Sequence, residues 1–230
     1  MSSFNIKKIA EIKCGFHEKF GIPRQSGLCE KSKAVIVFEP EYRVKEAFRN
    51  LEDFSHIWII WQFSKAIRDE WSPTVRPPRL GGNRRIGVFA TRSPFRPNPL
   101  GLSCVKLEKI EYDSNLGPIL HISGADLLDS TPIFDIKPYI PYADCKPDAL
   151  SGFTGTVERK VLNVDIPREI QKALPNELCA EISDILAQDP RPAYQDDPNR
   201  VYKMEYGNND IAFIVQNGTA FVKKVQEKEN

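Results

Sequence analysis

Apolar and polar positions alternate in short runs over the first two-thirds of the chain, and Pro or Gly closes most of those runs. Residues 4–12, 34–38, 56–63, 86–92, 102–112 and 119–127 carry this period and are predicted to be β-strands. Strands this short and frequent predict a β-barrel-like unit over residues 1–152. The run HIWIIWQF at 56–63 is apolar at nearly every position, so it is predicted to be the central strand, covered on both faces. Its Trp58 and Trp61 therefore read as core, the competing reading being a platform for stacked bases. In VKEAFRNL, Val44, Ala47, Phe48 and Leu51 fall on one side of a short predicted helix.

The composition changes after Tyr142. A strand is predicted over 153–162, followed by helices over 166–174 and 176–187. The second helix buries Leu178, Ile182, Ile185 and Leu186 and stops at Asp189-Pro190. Three strands then form a predicted meander, joined by GNND and by QNGT, the latter with type I′ character. The fold class expected is mainly β: the barrel-like unit, a small α+β unit over 153–225, and a disordered charged tail over 226–230.

With 230 residues and 41% hydrophobic content, the chain can bury a full core. Its N-terminus lacks a signal-like apolar run, and no eighteen apolar residues occur in succession, so a soluble cytoplasmic protein is expected. The cysteines at 14, 29, 104, 145 and 179 are widely spaced without a C-x-x-C pair, and His17, His56 and His121 are scattered. Reduced, mostly buried thiols and no metal site are expected.

Charge alters this bland picture. Residues 71–107 hold Arg76, Arg79, Arg84, Arg85, Arg92, Arg96 and Lys106 with no acid, in a chain whose formal net charge is +1. Prolines 73, 77, 78, 94, 97 and 99 stiffen the same stretch. Arginines presented by a rigid loop fit an anionic ligand, RNA foremost. The competing reading is that they merely solvate the loop.

Four segments taken together carry a further signal: PRQSG at 23–27, RPPRLGGNRRIGVFATRSPFRPNPLGLS at 76–103, DLLDSTPIFDIKPYIPY at 126–142 and DPRPAY at 189–194. The combination resembles the TsaA-like family of tRNA methyltransferases over nearly the whole chain. The resemblance implies a homodimeric β-barrel enzyme with no Rossmann fold. It would use S-adenosylmethionine to methylate N6 of threonylcarbamoyl-adenosine at position 37, beside the anticodon of threonine tRNA. Independently, no G-x-G-x-x-G follows any predicted strand.

By motif position, the resemblance puts the methyl donor against Pro23, Arg24 and Gln25, against Phe63, Ser64 and Lys65, against Arg92 and Leu102, and against Asp129, Ser130, Thr131 and Pro132. In DIKPY, Asp135 is the candidate base, with Lys137 and Tyr139 as orienting groups. Arg76, Arg79, Arg84, Arg85 and Arg96 are assigned to tRNA. Arg191 and Tyr194 of DPRPAY either complete that site or dock the second unit on the barrel. The plain reading of each segment is structural: a surface turn for PRQ, an Asx-type turn for DSTP, a strand exit for DIKPY, a solvated His17 and a core His56. Two rival functions stand beside methyl transfer. One is an RNA-binding barrel without catalysis, and the other a nucleotide hydrolase using Asp129 and Asp135 with a metal.

Overall fold

The structure is a computed structural model of the 230-residue chain, described here for residues 4–77, 84–156, 160–192, 195 and 197–228. Six antiparallel strands close into a barrel: β1 (Ala10–Cys14), β2 (Lys33–Phe38), β3 (His56–Gln62), β6 (Leu100–Asp113), β7 (Gly117–Ser123) and β8 (Pro132–Pro138). Their order around the barrel is β1-β2-β7-β6-β3-β8. Two short strands, β4 (Thr74–Val75) and β5 (Ile86–Gly87), pair as a separate ribbon.

The period of two in the sequence fills this barrel. Ile12 of β1, Ile36 of β2, Ile57, Ile59 and Trp61 of β3, Val105 of β6, Leu120 and Ile122 of β7 and Ile133 of β8 all point inward and are buried. Such an interior is a packed core with no room for a ligand, so any site lies at the rim or outside. The alternate positions of β3, His56, Trp58, Ile60 and Gln62, are only half-buried. The central strand is thus covered on one face, against expectation. Trp61 is core at 5% exposure, whereas Trp58 lies on the outer face and donates to Asp144 Oδ2 at 3.0 Å.

A second apolar core lies under a four-stranded sheet of order β10-β11-β12-β9. Its strands are β9 (Asn163–Asp165), β10 (Tyr202–Tyr206), β11 (Asn209–Gln216) and β12 (Thr219–Glu227). Asn217 and Gly218, at φ 48° and 73°, make the left-handed pair that a type I′ turn needs between β11 and β12. Among the described residues three α-helices complete the order: α1 (Pro141–Asp144), α2 (Arg168–Ala173) and α3 (Asn176–Ala187). None of the helices among the described residues is long and apolar enough to cross a membrane.

Several expectations are corrected. The strand expected at 4–12 begins only at Ala10, and that at 86–92 stops at Gly87 and turns into a 3-10 helix over Val88–Ala90. The helix expected over 44–51 is a pair of 3-10 turns split by Asn50 at φ 64°. Of the strand expected at 153–162, residues 153–156 belong to a 3-10 turn, 157–159 lie outside the described residues and 160–162 are irregular, with the three-residue β9 following. Glu227 still belongs to β12, so the segment 226–230 is not wholly a disordered tail. All five cysteines are free thiols, but only Cys29 is buried, and Cys145 is exposed.

One ion cluster on the outer barrel wall responds to pH. Glu108 Oε1 accepts from Ser123 Oγ at 2.7 Å and from Lys33 Nζ at 3.0 Å, while Oε2 accepts from Lys106 Nζ at 3.0 Å. The Ser123 hydroxyl and the two lysines hold its carboxyl down from 4.5 to about 2. A depressed carboxyl contributes stability that is present above its unfolded pKa and lost as pH falls through its folded one. Glu108→Gln is therefore expected to cost about 1 kcal/mol at pH 7 after allowance for solvent screening. In paired urea titrations that deficit should shrink below pH 4.5 and vanish near pH 2.

Candidate active site

The loop carrying PRQS is held from both sides. On the barrel side, Gly27 N donates to Gly124 O at 2.8 Å and Cys104 N donates to Ser26 Oγ at 3.2 Å. On the other side, Phe16 packs on Tyr206 at 5.0 Å between ring centroids, and Lys31 N donates to Asp184 Oδ2 at 2.9 Å. Arg24 Nη2 also reaches Arg191 O at 3.2 Å. The C-terminal sheet and α3 thus form the backing of this loop.

The Cys104 bond shows how β6 is used. Over Leu100–Lys106, β6 pairs with β3 on one edge, and its pairing with β7 begins only at Lys106. Its other edge pairs with no strand at Leu102 and Cys104 and faces the PRQS loop, whose Ser26 Oγ takes the Cys104 N–H. Backbone groups two residues apart on a strand point to the same side, so the N–H and C=O of Leu102 face that open edge beside Ser26. The Leu102 side chain stands on the outer face at 56% exposure.

Asp126 lies beneath this edge. Its Oδ1 accepts from Ser103 Oγ at 2.5 Å, and Ser103 Oγ in turn accepts from Trp61 Nε1 at 2.9 Å. Burial pushes the Asp126 carboxyl up, against the pull of Ser103, the Ser26 backbone and Arg92. Arg92 Nη1 donates to Gln25 Oε1, which ties the arginine to the PRQS loop. Asp126 and Ser103 were not among the sequence candidates, although Asp126 is the first residue of the 126–142 motif. A short polar residue inside an apolar strand run gives little signal until its partners are known.

Three residues beyond Asp126, the DSTP turn is fastened to β1. Asp129 N donates to Phe16 O at 2.7 Å, Asp129 Oδ1 accepts from Cys14 N at 2.9 Å, and Ser130 N donates to Ile12 O at 2.9 Å, with Ser130 at φ 59°. Asp129 therefore bonds back to β1, and no Asx-type bond ahead is formed. Leu128, Asp129, Ser130 and Pro132 line a pocket of about 490 Å³ with Ser64, Lys65 and His17. Thr131 is buried, its hydroxyl donating to Leu128 O at 2.7 Å. His17 Nδ1 stands 3.9 Å from Asp129 Oδ2, so a residue read as merely solvated lines the pocket. Phe63 connects the two clusters, with its ring 4.2 Å from that of Trp61 and its N–H on Pro99 O at 2.8 Å.

The remaining candidates divide. Asp135 faces outward from β8 opposite Ile60, which faces Leu102 on the other side. Its Oδ2 pairs with Lys137 Nζ at 2.8 Å, so those two residues are brought together on the outer barrel wall, two strands from Leu102. Tyr139 is not. It lies four residues beyond Asp135, just past the end of β8, about 13 Å along the chain at ~3.3 Å per residue. There it packs on Trp58 at 5.8 Å and on His56 at 6.2 Å. The pair of carboxylates required by a metal hydrolase is likewise split, Asp129 against β1 and Asp135 against Lys137.

Among the arginines, Arg76, Arg84 and Arg85 are exposed, and Arg96 Nη1 bonds Thr91 O at 3.1 Å within its own loop. Arg79 and Tyr194 lie outside the described residues. Arg191 is only 9% exposed and forks onto Asp189 at 2.8 and 2.9 Å. Its guanidinium lies against its own protein and not at a surface, with its carbonyl on Arg24.

Family comparison decides what this arrangement belongs to. The model of the tRNA-methyltransferase O N-terminal domain matches residues 11–145, and that of the TrmO C-terminal domain matches residues 160–228. The chain belongs to the tRNA-methyltransferase O family. It is 43% identical over 201 residues to an Escherichia coli (strain K12) protein named tRNA (adenine(37)-N6)-methyltransferase, covering 85% of each chain. An Eikenella corrodens protein of the same name is 52% identical over 179 residues, covering 76% of this chain and 99% of that one. A Pyrococcus abyssi relative, 33% identical over 163 residues (71% of this chain, 81% of that one), is named a probable S-adenosyl-L-methionine-binding protein. A crystal structure of TrmO from Pseudomonas aeruginosa superposes with a TM-score of 0.80 at 32% identity, covering 99% of each chain. The TrmO family thus accounts for both the barrel and the sheet behind the PRQS loop.

Proposed function

We propose that the chain is an S-adenosylmethionine-dependent tRNA methyltransferase acting on N6 of adenine 37, with the threonylcarbamoyl form in threonine tRNA as acceptor. The family resemblance extends this to a homodimer in the cytoplasm. One observation carries the reading. PRQS, Arg92 and the start of β6, far apart in sequence, are bonded together around Asp126, three residues from the DSTP pocket.

The residues present fit the donor. S-adenosylmethionine has one carboxylate and two cationic centres, an ammonium and a sulfonium. Arg92 offers a fork for the carboxylate, and Asp126 and Asp129 offer anions for the cations. The open edge at Leu102 and the backbone of the PRQ and DSTP turns can satisfy an adenine edge and ribose hydroxyls, with Phe63, Ser64 and Lys65 closing the side. When bound, the donor supplies a methyl group on an already activated leaving group.

The protein's own work is then alignment, exclusion of water and management of one proton. The acceptor nitrogen lies between an aromatic ring and a carbonyl, so its lone pair is delocalised. Loss of its N–H proton to Asp135 as the N–C bond forms would restore its nucleophilicity, and Lys137 Nζ at 2.8 Å orients that carboxylate. Tyr139 is too far along β8 to share this role. The exposed Arg76, Arg84 and Arg85 suit the phosphates and the threonyl carboxylate.

Calorimetric titration with S-adenosylmethionine is expected to show micromolar binding, and labelled methyl is expected to pass to threonylcarbamoylated tRNA. No donor binding with or without tRNA would favour the RNA-binding barrel without catalysis. Asp135→Asn is expected to lower kcat by about 10²–10⁴-fold with the donor Kd unchanged. Turnover near wild type would remove Asp135 as the base.

A further inference from the structure

The ribbon β4–β5 carries a feature that the donor site does not use. Trp71 and Phe89 are 50% and 72% exposed, and their rings lie 6.1 Å apart at an interplanar angle of 32°. Both positions are fixed by the ribbon. Thr74 pairs with Gly87, Val75 with Ile86, and Val88 N donates to Pro73 O at 2.9 Å. Val88 is buried at the 3-10 turn Val88–Ala90, which turns its neighbour Phe89 outward. Two large rings side by side in water forgo much of the gain available from burial, and such pairs mark surfaces that meet a partner.

The surroundings specify the partner. Arg76, Arg84 and Arg85 on the same ribbon are exposed, and Arg85 Nη1 is steadied on Thr74 Oγ1 at 2.9 Å. Asp69 and Glu70 stand before Trp71, whereas no acid follows through Leu107. Flat apolar faces beside fixed guanidinium groups match a single-stranded polyanion with exposed π-faces. The other aromatics of the region are already occupied: Arg68 covers Phe95 at 3.5 Å, and Trp58 is packed by Tyr139. We infer that Trp71 and Phe89 form a stacking platform for an unpaired anticodon-loop base next to the target adenine, with Arg76, Arg84 and Arg85 on the adjoining phosphates. This rests on the tRNA reading proposed above and adds to it how the loop is opened. A base held on the platform is withdrawn from the loop's own stack, which frees its neighbour to reach the donor edge.

The test is binding of an anticodon stem-loop RNA, with donor affinity measured in parallel. Phe89→Ala and Trp71→Ala are expected to weaken the RNA Kd about tenfold or more, and Phe89→Tyr and Trp71→Phe to stay near wild type. The salt dependence should keep its slope in Phe89→Ala and flatten in the double variant Arg84→Ala/Arg85→Ala, because stacking releases no counterions. An abasic nucleotide at position 36 or 38 should abolish the Phe89→Ala penalty at one of the two positions. Unchanged RNA affinity in both alanine variants with donor affinity intact overturns the platform and leaves the methyltransferase reading standing. A changed sedimentation coefficient with unchanged RNA affinity would assign the rings to a contact between copies of the chain. Failure of the wild type to bind the stem-loop would overturn both readings.

Discussion

Gly101→Ala is expected to destabilise the protein by about 3 kcal/mol and to remove most of its donor affinity in the same step. A Cβ at Gly101 would sit 2.2 Å from Trp61 Cε2, 2.4 Å from Cζ2 and 2.7 Å from Cδ2. The ring has nowhere to go. It is buried, packed against the tilted ring of Phe63 at 4.2 Å and tied through Nε1 to Ser103 Oγ at 2.9 Å. Either β6 shifts away from β3 or Trp61 is expelled, and both break the Trp61–Ser103–Asp126 chain beside the open edge. At ~2–4 °C per kcal/mol for a chain of this size, Tm should fall roughly 6–12 °C. Thermal unfolding followed by near-ultraviolet circular dichroism measures the first effect, and calorimetry with S-adenosylmethionine the second. An unchanged Tm would mean that the approach of β6 to Trp61 is looser than the structure has it.

Arg92→Ala is expected to weaken donor binding by about 2–3 kcal/mol, on the order of a hundredfold in Kd, while the fold survives. Arg92 is exposed and bonded to Gln25, so its removal leaves the barrel core untouched. It would lose the carboxylate of the donor, and its opposing pull on the buried Asp126 would go with it. The product S-adenosylhomocysteine keeps that carboxylate and lacks the sulfonium charge. Arg92→Ala should therefore weaken both ligands alike. Asp126→Asn, in contrast, should weaken the charged donor more than the product. Equal losses of donor and product in Asp126→Asn would deny Asp126 any part in reading the sulfonium.

The segments that the resemblance assigns to the donor stand out in the sequence because they are turns and strand ends, where Pro, Gly, Asp and Ser leave a pattern. PRQS, Arg92, Leu102 and DSTP all fall on or beside the rim of the barrel. Their physical partners were not legible. Ser103 and Asp126 look like isolated polar residues until β6 and the 126–129 segment meet, and His17 reads as solvated until the DSTP turn folds back on β1. The strand β8 was missed because Pro132 opens it and Pro138 closes it, positions that a strand tolerates only at its ends. The helix expected at 44–51 failed because the left-handed Asn50 splits the segment into two 3-10 turns. Tyr139 was grouped with Asp135 by proximity in sequence, but an extended strand carries residues four apart about 13 Å from each other.

What the sequence by itself determined is the mainly β class, the I′ turn at Asn217-Gly218 and the basic, proline-stiffened stretch. These follow from local preferences: a period of two, turn chemistry and the absence of acids from residues 71–107. Tertiary structure alone decided that β6 leaves an open edge beside Ser26, that Arg191 turns inward onto Asp189, and that Trp71 and Phe89 meet at 6.1 Å. Each of these depends on which distant segments come into contact, and that is settled by closure of the barrel and by its packing against the second core, neither of which is encoded in any one stretch of the chain.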